Sequence, residues 1–187
     1  KITGAKTAVM PTRIETPRLI LRAFTLNDAS SLARLAGDFD ISKMTCSFAH
    51  PLPLLSAEFW LMKAMAKRRT GIGFAYAIED KSVPGMRGDM DIFRHGDDWE
   101  IGYFIGKPYW GQGYATEAGR AIIKAAQDHL GAREIKAATF GDNPGSGHVL
   151  EKLGFVKTGE SAPAYSNARM AYAGGFEYLL NAPRPNK

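Results

Sequence analysis

The chain has 187 residues, 45% of them hydrophobic, with a formal net charge of +5 and an isoelectric point near 9.3. This suits one globular domain with a full core, and neither a membrane span nor a secretory leader is expected from the hydropathy pattern. A lone cysteine, Cys46, excludes an internal disulfide, and the four histidines (His50, His95, His129, His148) share no ligand spacing, so no metal site is expected. The moderate positive charge fits an anionic cofactor, an acidic partner or nucleic acid, and does not choose among them.

The first nine residues, KITGAKTAV, show no pattern. Residues 1–12 are expected to form an N-terminal arm, unless Met10 is the natural start and the first nine lie upstream of it. Residues 14–24, IETPRLILRAF, read as a strand, with Leu19, Leu21 and Ala23 alternating with Arg18, Ile20, Arg22 and Phe24. A helix follows, capped by Asn27 or Asp28, with Leu32, Leu35 and Ala36 on one face and Gly37 as its stop. Residues 38–55 carry Pro51 and Pro53 and no clean period, and read as a loop with at most one helical turn. Ser56 is the expected cap of a second helix, which ends in Lys67, Arg68 and Arg69 before Gly71. That basic turn reads either as a nucleic-acid patch or as a solvated turn complementing the helix dipole.

From Gly73 the period falls to two. GFAYAIED, RGDMDIFR and WEIGYFI, joined at KSVPG and HGDD, make an antiparallel meander. A long helix runs from about Tyr114 to His129, with Ala118, Ile122, Ala125 and Ala126 on one face and Gly131 as its cap. Then come a strand EIKAATF, a turn GDNPGSG, a short helix HVLEKL, a strand from Phe155 and a last strand near GGFEYLL. Runs of neighbouring strands interrupted by helices give an α+β class with a mixed sheet, not a doubly wound parallel one. No repeat or linker divides residues 13–181, expected to be a single domain ahead of a tail at 182–187.

Gly111 and Gly113 stand at the entrance of the long helix. A helix N-terminus leaves N–H groups unpaired and carries partial positive charge, and glycine lets an anion approach the backbone. The run Gly111-Gln112-Gly113-Tyr114-Ala115-Thr116 therefore reads as a phosphate cradle or as a tight turn needing positive φ. It is not a Walker loop, since GYFIGKP is one residue short and Pro108 replaces the hydroxyl. Nor is it a dinucleotide fingerprint, because GKPYW intervenes after a strand of an antiparallel meander.

WGQGYATEA resembles the acyl-CoA pyrophosphate loop of the GNAT N-acetyltransferases, in the branch that contains the ribosomal-protein N-terminal acetyltransferases. Trp110 stands where the superfamily pattern opens with Gln or Arg. NPGSGHVLEKLGFVKTGE and TPRLILRAF resemble two further blocks of that branch, in its order. The resemblance implies a mostly antiparallel, splayed central sheet with helices on both faces. It also implies transfer of the acetyl group of acetyl-CoA to a primary amine by direct attack in a ternary complex.

The chemistry asks for a base, because the attacking amine must be neutral, and for a donor to the thioester oxygen. Glu100 matches the position of a catalytic glutamate in many relatives, and its apolar strand favours a raised pKa. The alternative is a solvent-facing carboxylate beside Asp97 and Asp98. The resemblance assigns the oxyanion donor to the Phe104 amide, with Ile105 also on the pantetheine arm. Asn143 matches a pantetheine contact, or is ordinary turn chemistry. Ser146 matches the residue assigned to thiolate protonation, or caps the short helix.

The acceptor groove is implied to lie between the loop joining the first two helices, KMTCSFAHPLPLL, and the loop connecting the last two strands, ESAPAYSNARMAYAGG, which contains Pro163, Tyr165, Arg169 and Tyr172. Neither segment offers the acidic cluster expected for polyamines or aminoglycosides, which favours a peptide N-terminal amine or a small amine. The rival readings are a non-catalytic acyl-CoA-binding regulatory module and a nucleic-acid binder on the basic helix. The resemblance implies no nucleic-acid or membrane partner, a cytoplasmic location and a possible homodimer.

Overall fold

The computed structural model describes residues 9–181. The expectations for residues 1–8 and for the tail at 182–187 lie outside the described residues. Met10 is buried against the core and Thr12 accepts a hydrogen bond from the Ala23 N–H, so the ordered domain starts ahead of residue 13.

The opening strand is two strands. Thr16 takes the Leu19 N–H on its hydroxyl, and Pro17 has no N–H to offer a ladder, so the chain turns between β1 (Arg13–Glu15) and β2 (Leu19–Ala23). Leu19 and Leu21 are fully buried, as their alternation requires. Thr25 and Asp28 form a capping box on the 3-10 turn Leu26–Asp28 that leads into α1 (Ala29–Ala36), and both terminal nitrogens of Arg22 grip Asp28 at 2.7 and 2.9 Å. A single turn, α2 (Phe39–Ser42), is capped by Asp38. The second long helix, α3 (Leu54–Thr70), begins two residues before Ser56 because Pro53, in extended conformation, is the cap; Gly71 ends it at φ 73°. Its basic end is partly absorbed: Arg68 donates to the carbonyls of Met10, Pro11 and Ala75 and lies over the Phe74 and Tyr76 rings.

The meander is β3 (Gly73–Asp80), β4 (Val83–His95) and β5 (Asp98–Ile105). β4 starts earlier than expected because Lys81 and Ser82 alone make the turn, and two register shifts beside Glu79 absorb the mismatch. Then come α4 (Tyr114–Leu130), β6 (Glu134–Phe140), α5 (Pro144–Lys152), β7 (Val156–Ser166) and β8 (Ala171–Asn181). The last two strands form a long hairpin where the sequence suggested a loop after residue 160. Pro163 is tolerated there because β7 is an edge strand and the register slips between Ser161 and Ala164.

The eight strands lie in the order β1-β2-β3-β4-β5-β6-β8-β7. Every neighbouring pair is antiparallel except β5 and β6, which run parallel and pair only at Trp99–Ile135 and Glu100–Lys136. Beyond Glu100 the two strands part, and the sheet opens into a gap. One face packs Tyr76, Met90, Ile92 and Ile135 against Ala118, Ile122 and Ala126 of α4, with α5 beside it. The other packs Ala75, Ala77 and Phe104 under Leu32, Leu35, Ala57 and Leu61 of α1 and α3. Strand alternation then fixes what faces α3 near the gap: Asp89, Asp91 and Phe93 of β4, and Glu100, Gly102 and Phe104 of β5.

Candidate active site

A cavity of about 400 Å³ opens where β5 and β6 separate. Its floor is the sheet, one wall is α3 with Trp60 and Lys67, another is the segment Met44–Phe48, and Asn143 and Ser146 close it from α5. The β7–β8 turn holds this frame together. Arg169 donates to the Lys43 carbonyl at 2.6 Å and to Asp142 at 2.8 Å, and Asn167 donates to the Ser47 carbonyl at 3.3 Å.

Glu100 lies on the wall of this cavity at the point of divergence, not in open solvent. Its Oε2 meets His95 Nδ1 at 2.8 Å, while neighbouring Asp98 turns outward to Lys136 at 2.7 Å. Two further carboxyls share its face. Asp91 sits opposite Gly102, and an added Cβ at Gly102 would fall 2.5 Å from Asp91 Oδ1, so glycine leaves room for that carboxyl to lie over β5. Burial pushes Asp91 up to about 6; Lys67 pulls against the rise and Glu100 adds to it. Asp89 is 4% exposed and pushed well above the carboxylate range, by burial first and then by Asp91.

On the α5 side, Asn143 is the helix cap, its side chain accepting from the Ser146 N–H at 3.2 Å. Ser146 is thus inside the first turn and does not cap it. Its hydroxyl is 2.8 Å from the Tyr103 hydroxyl, which also donates to the Ser146 carbonyl at 3.0 Å; burial pushes the Tyr103 phenol up to about 12.

The main chain of β5 has a definite phase. Gly106 donates to the Arg87 carbonyl at 2.8 Å, and the register to β4 is unbroken from Gly88–Ile105 to His95–Asp98. Residues 100, 102 and 104 therefore turn their main-chain groups to β4, and Tyr103 and Ile105 present theirs to the gap. The Phe104 amide, expected to serve the thioester oxygen, faces β4; its ring lines the cavity. The Ile105 carbonyl receives the Trp110 indole N–H at 2.6 Å, which gives the aromatic residue at that loop position a structural task.

The glycine run behaves as the spacing suggested. Gly111 and Gly113 take φ 75° and 78°, and Gly113 is the cap of α4. The first bond back into the helix is from Glu117 N–H to the Gly113 carbonyl, so the amides of Tyr114, Ala115 and Thr116 have no intrahelical acceptor. Gln112 bends back to the Pro108 carbonyl, and the Tyr114 hydroxyl donates to Asp80. Arg18, from the β1–β2 turn, binds the Gln112 carbonyl at 3.1 Å and Glu117 at 2.7 Å. It borders an open groove of about 800 Å³ that also collects Thr116, Arg120, Lys124 and Lys152, a cationic setting for phosphate.

The structure thus brings Glu100, Phe104, Asn143 and Ser146 around one cavity. Residues 111–116 form the helix entrance. Sequence reasoning missed Asp89, Asp91, Tyr103 and Arg18. The two flanking segments supply no acidic cluster, and the aspartates that line the cavity come from β4 instead. The signal was present in Gly88-Asp89-Met90-Asp91-Ile92: two acids at alternate positions of an apolar strand share a face.

The acetyltransferase (GNAT) domain profile matches residues 18–156. Among curated proteins, the chain is 27% identical over 148 residues to the uncharacterized N-acetyltransferase YoaA of Bacillus subtilis (strain 168), spanning 78% of this chain and 84% of that one. It is also 27% identical over 146 residues to N-acetyltransferase p20 of Bacillus licheniformis, spanning 77% and 82%. Solved structures of similar fold include the ribosomal-protein-S5-alanine acetyltransferase from Vibrio fischeri, with TM-score 0.79, 19% identity and coverage of 95% and 100%. The microcin C7 self-immunity acetyltransferase MccE superposes with TM-score 0.78, 18% identity and coverage of 94% and 99%. With the profile spanning both the glycine-lined helix entrance and the parted strands, the chain belongs to the acetyltransferase (GNAT) domain family.

Proposed function

We propose that the chain moves the acetyl group of acetyl-CoA to a primary amine that enters from the α1–α3 face. The observation that carries this reading is the parting of β5 from β6 directly after Glu100, between the α4 entrance on one side and the cavity on the other. The amides of residues 111–116 and Arg18 hold the diphosphate, and the pantetheine arm follows the gap toward Ile105 and Asn143. MccE, similar in fold, was solved with acetyl-CoA and AMP, which supports a CoA thioester as co-substrate here.

The acceptor arrives as an ammonium ion and gives its proton to a carboxylate of the cavity, Glu100 with His95 behind it. The free nitrogen attacks the thioester carbon. Charge gathering on the carbonyl oxygen meets an outward N–H of β5, from Tyr103 or Ile105. As the carbon–sulfur bond breaks, Ser146 gives a proton to the departing thiolate and is reprotonated through Tyr103 by the second proton that the nitrogen sheds as the amide forms, while the proton on Glu100 goes to solvent. The acceptor is a peptide N-terminal amine or a small amine.

Thiol release from acetyl-CoA, measured against peptides differing in their first residue and against small amines, tests the reading. Glu100→Gln is expected to lower turnover roughly 10²-fold while sparing acetyl-CoA affinity. Equal turnover across a full pH series removes Glu100 from the mechanism. Tight acetyl-CoA binding with no release for any amine instead favours an acyl-CoA-binding module.

A further inference from the structure

We infer that the acceptor pocket is built for an amine carrying a second cationic nitrogen, which seats on Asp89 and Asp91. This rests on the acetyl-transfer reading and names its substrate class.

The starting point is an orphan. Asp89 Oδ1 is buried with no hydrogen-bond partner, in a residue only 4% exposed that lines the cavity, although the Tyr76 and Met90 main chains act on the same carboxyl. Buried polar atoms are almost always paired, and a carboxyl left without a donor is costly to fold around. Asp89 lines the cavity, so a small turn of its carboxyl toward the opening lets a donor that arrives with the ligand complete this oxygen. Asp91, two residues along the same face, extends the acceptor surface over Gly102 toward the gap.

The charges nearby decide which donor. Lys67 stands close enough to pull on Asp91 and offsets one negative charge, and Lys63 lies at the cavity wall. Burial first, and then the charge of Asp91, hold a proton on Asp89. A cationic nitrogen displaces that proton to solvent and leaves both carboxylates paired. The aromatic walls, Trp60 and Phe93 among them, suit a cation better than an anion. Among the described residues, His, Cys, Asp and Glu form no group arranged to hold a metal ion, so the complementary cation is organic.

Geometry separates this nitrogen from the one that reacts. Asp89 and Asp91 are on β4, and the thioester must lie in the gap beyond β5, about one and a half interstrand spacings away, or roughly 7 Å. One nitrogen cannot satisfy both positions. A chain of about five methylene groups between two nitrogens spans that distance.

The experiment compares initial rates of thiol release from acetyl-CoA with 1,5-diaminopentane, with pentylamine and with an alanine-initiated peptide. The expected result is a kcat/KM for the diamine at least tenfold above that of the equally long monoamine. In Asp89→Asn this ratio collapses toward one, and in Asp91→Asn it falls as well. The wild-type ratio stands as a test even where a variant fails to fold. A ratio near one in the wild type, or a preference that survives Asp89→Asn, overturns the inference. Faster transfer to the peptide or the monoamine also overturns it and leaves acetyl transfer intact. A protein that binds acetyl-CoA and releases thiol with no acceptor overturns both.

Discussion

Gly113→Glu tests the phosphate cradle most directly, because the structure separates its three effects. Gly113 sits at φ 78°, a conformation that costs a residue with a Cβ about 1–2 kcal/mol. The Cβ itself would meet only Arg18 Nη2, at 3.4 Å, an ordinary contact, so steric repulsion inside the protein adds little. The third effect is charge. A carboxylate roughly 5 Å from a diphosphate bearing two charges feels about 1.7 kcal/mol of repulsion in water and several times that at an effective dielectric near 20. Arg18 can relieve part of this only by leaving Glu117, which it holds at 2.7 Å. A loss of about 10²-fold or more in affinity for acetyl-CoA follows, read by isothermal titration at fixed ionic strength. Gly111→Ala and Gly113→Ala supply the controls. At Gly111, φ is 75° and an added Cβ meets nothing within 4 Å, so its cost is conformational and appears in the melting temperature. Affinity of Gly113→Glu within threefold of the wild type would refute the cradle, since neither strain nor repulsion would then act where the phosphates are placed.

Two further outcomes are expected. Ser146→Ala lowers turnover by about 10-fold to 10²-fold, and Tyr103→Phe, which reaches the thiolate only through Ser146, adds nothing further in the double variant; additive losses in a double-mutant cycle on kcat would dissolve the pair. For Asp91 the sign follows from its raised value of about 6. As pH rises through about 4 the unfolded chain loses this proton first, the native state keeps it to about 6, and native stability falls between those limits. Asp91→Asn removes that penalty, so its melting temperature exceeds the wild type's above pH 6 and converges with it near pH 4, at about 2–4 °C per kcal/mol; equal melting curves at every pH would contradict it.

What was legible in the sequence is local. The period-two runs became β3, β4 and β5, and the periodic face of α4 is buried at Ala118, Ile122, Ala125 and Ala126. The glycines that bound α4 adopt the left-handed conformation their positions suggested. Misreadings came where one residue type serves two geometries. Pro144 and Gly145 looked like turn residues, yet proline is well placed in the first turn of a helix, and α5 starts at Pro144 with Asn143 as its cap. Pro163 read as a loop, though an edge strand accepts it. The gap itself had no local signature. It arises because β6 pairs fully with β8 but only twice with β5, a balance of non-local contacts that no window of sequence contains. The phase of the β5 amides was likewise invisible, since it depends on register against β4.

The aspartates of β4 show how fold and function oppose each other in this sheet. An apolar pair at positions 89 and 91 would fill the face under α3 as Ala75 and Ala77 do on β3, with no desolvated oxygen left over. An unsatisfied buried carboxyl oxygen costs about 1–3 kcal/mol, a large fraction of the margin by which a domain stays folded. Packing gives no reason for two acids there, and Gly102 adds to the oddity by giving up a side chain of its own so that Asp91 has room. The arrangement becomes favourable only when the empty coordination is filled, and what fills it must carry donors and positive charge into a cavity beside the parted strands. The penalty that Asp91→Asn is expected to remove above pH 6 comes from the same buried acidic face that a cationic acceptor would pair. The two measurements are linked: Asp91→Asn, which should melt higher above pH 6, should also show a weaker preference for the second nitrogen.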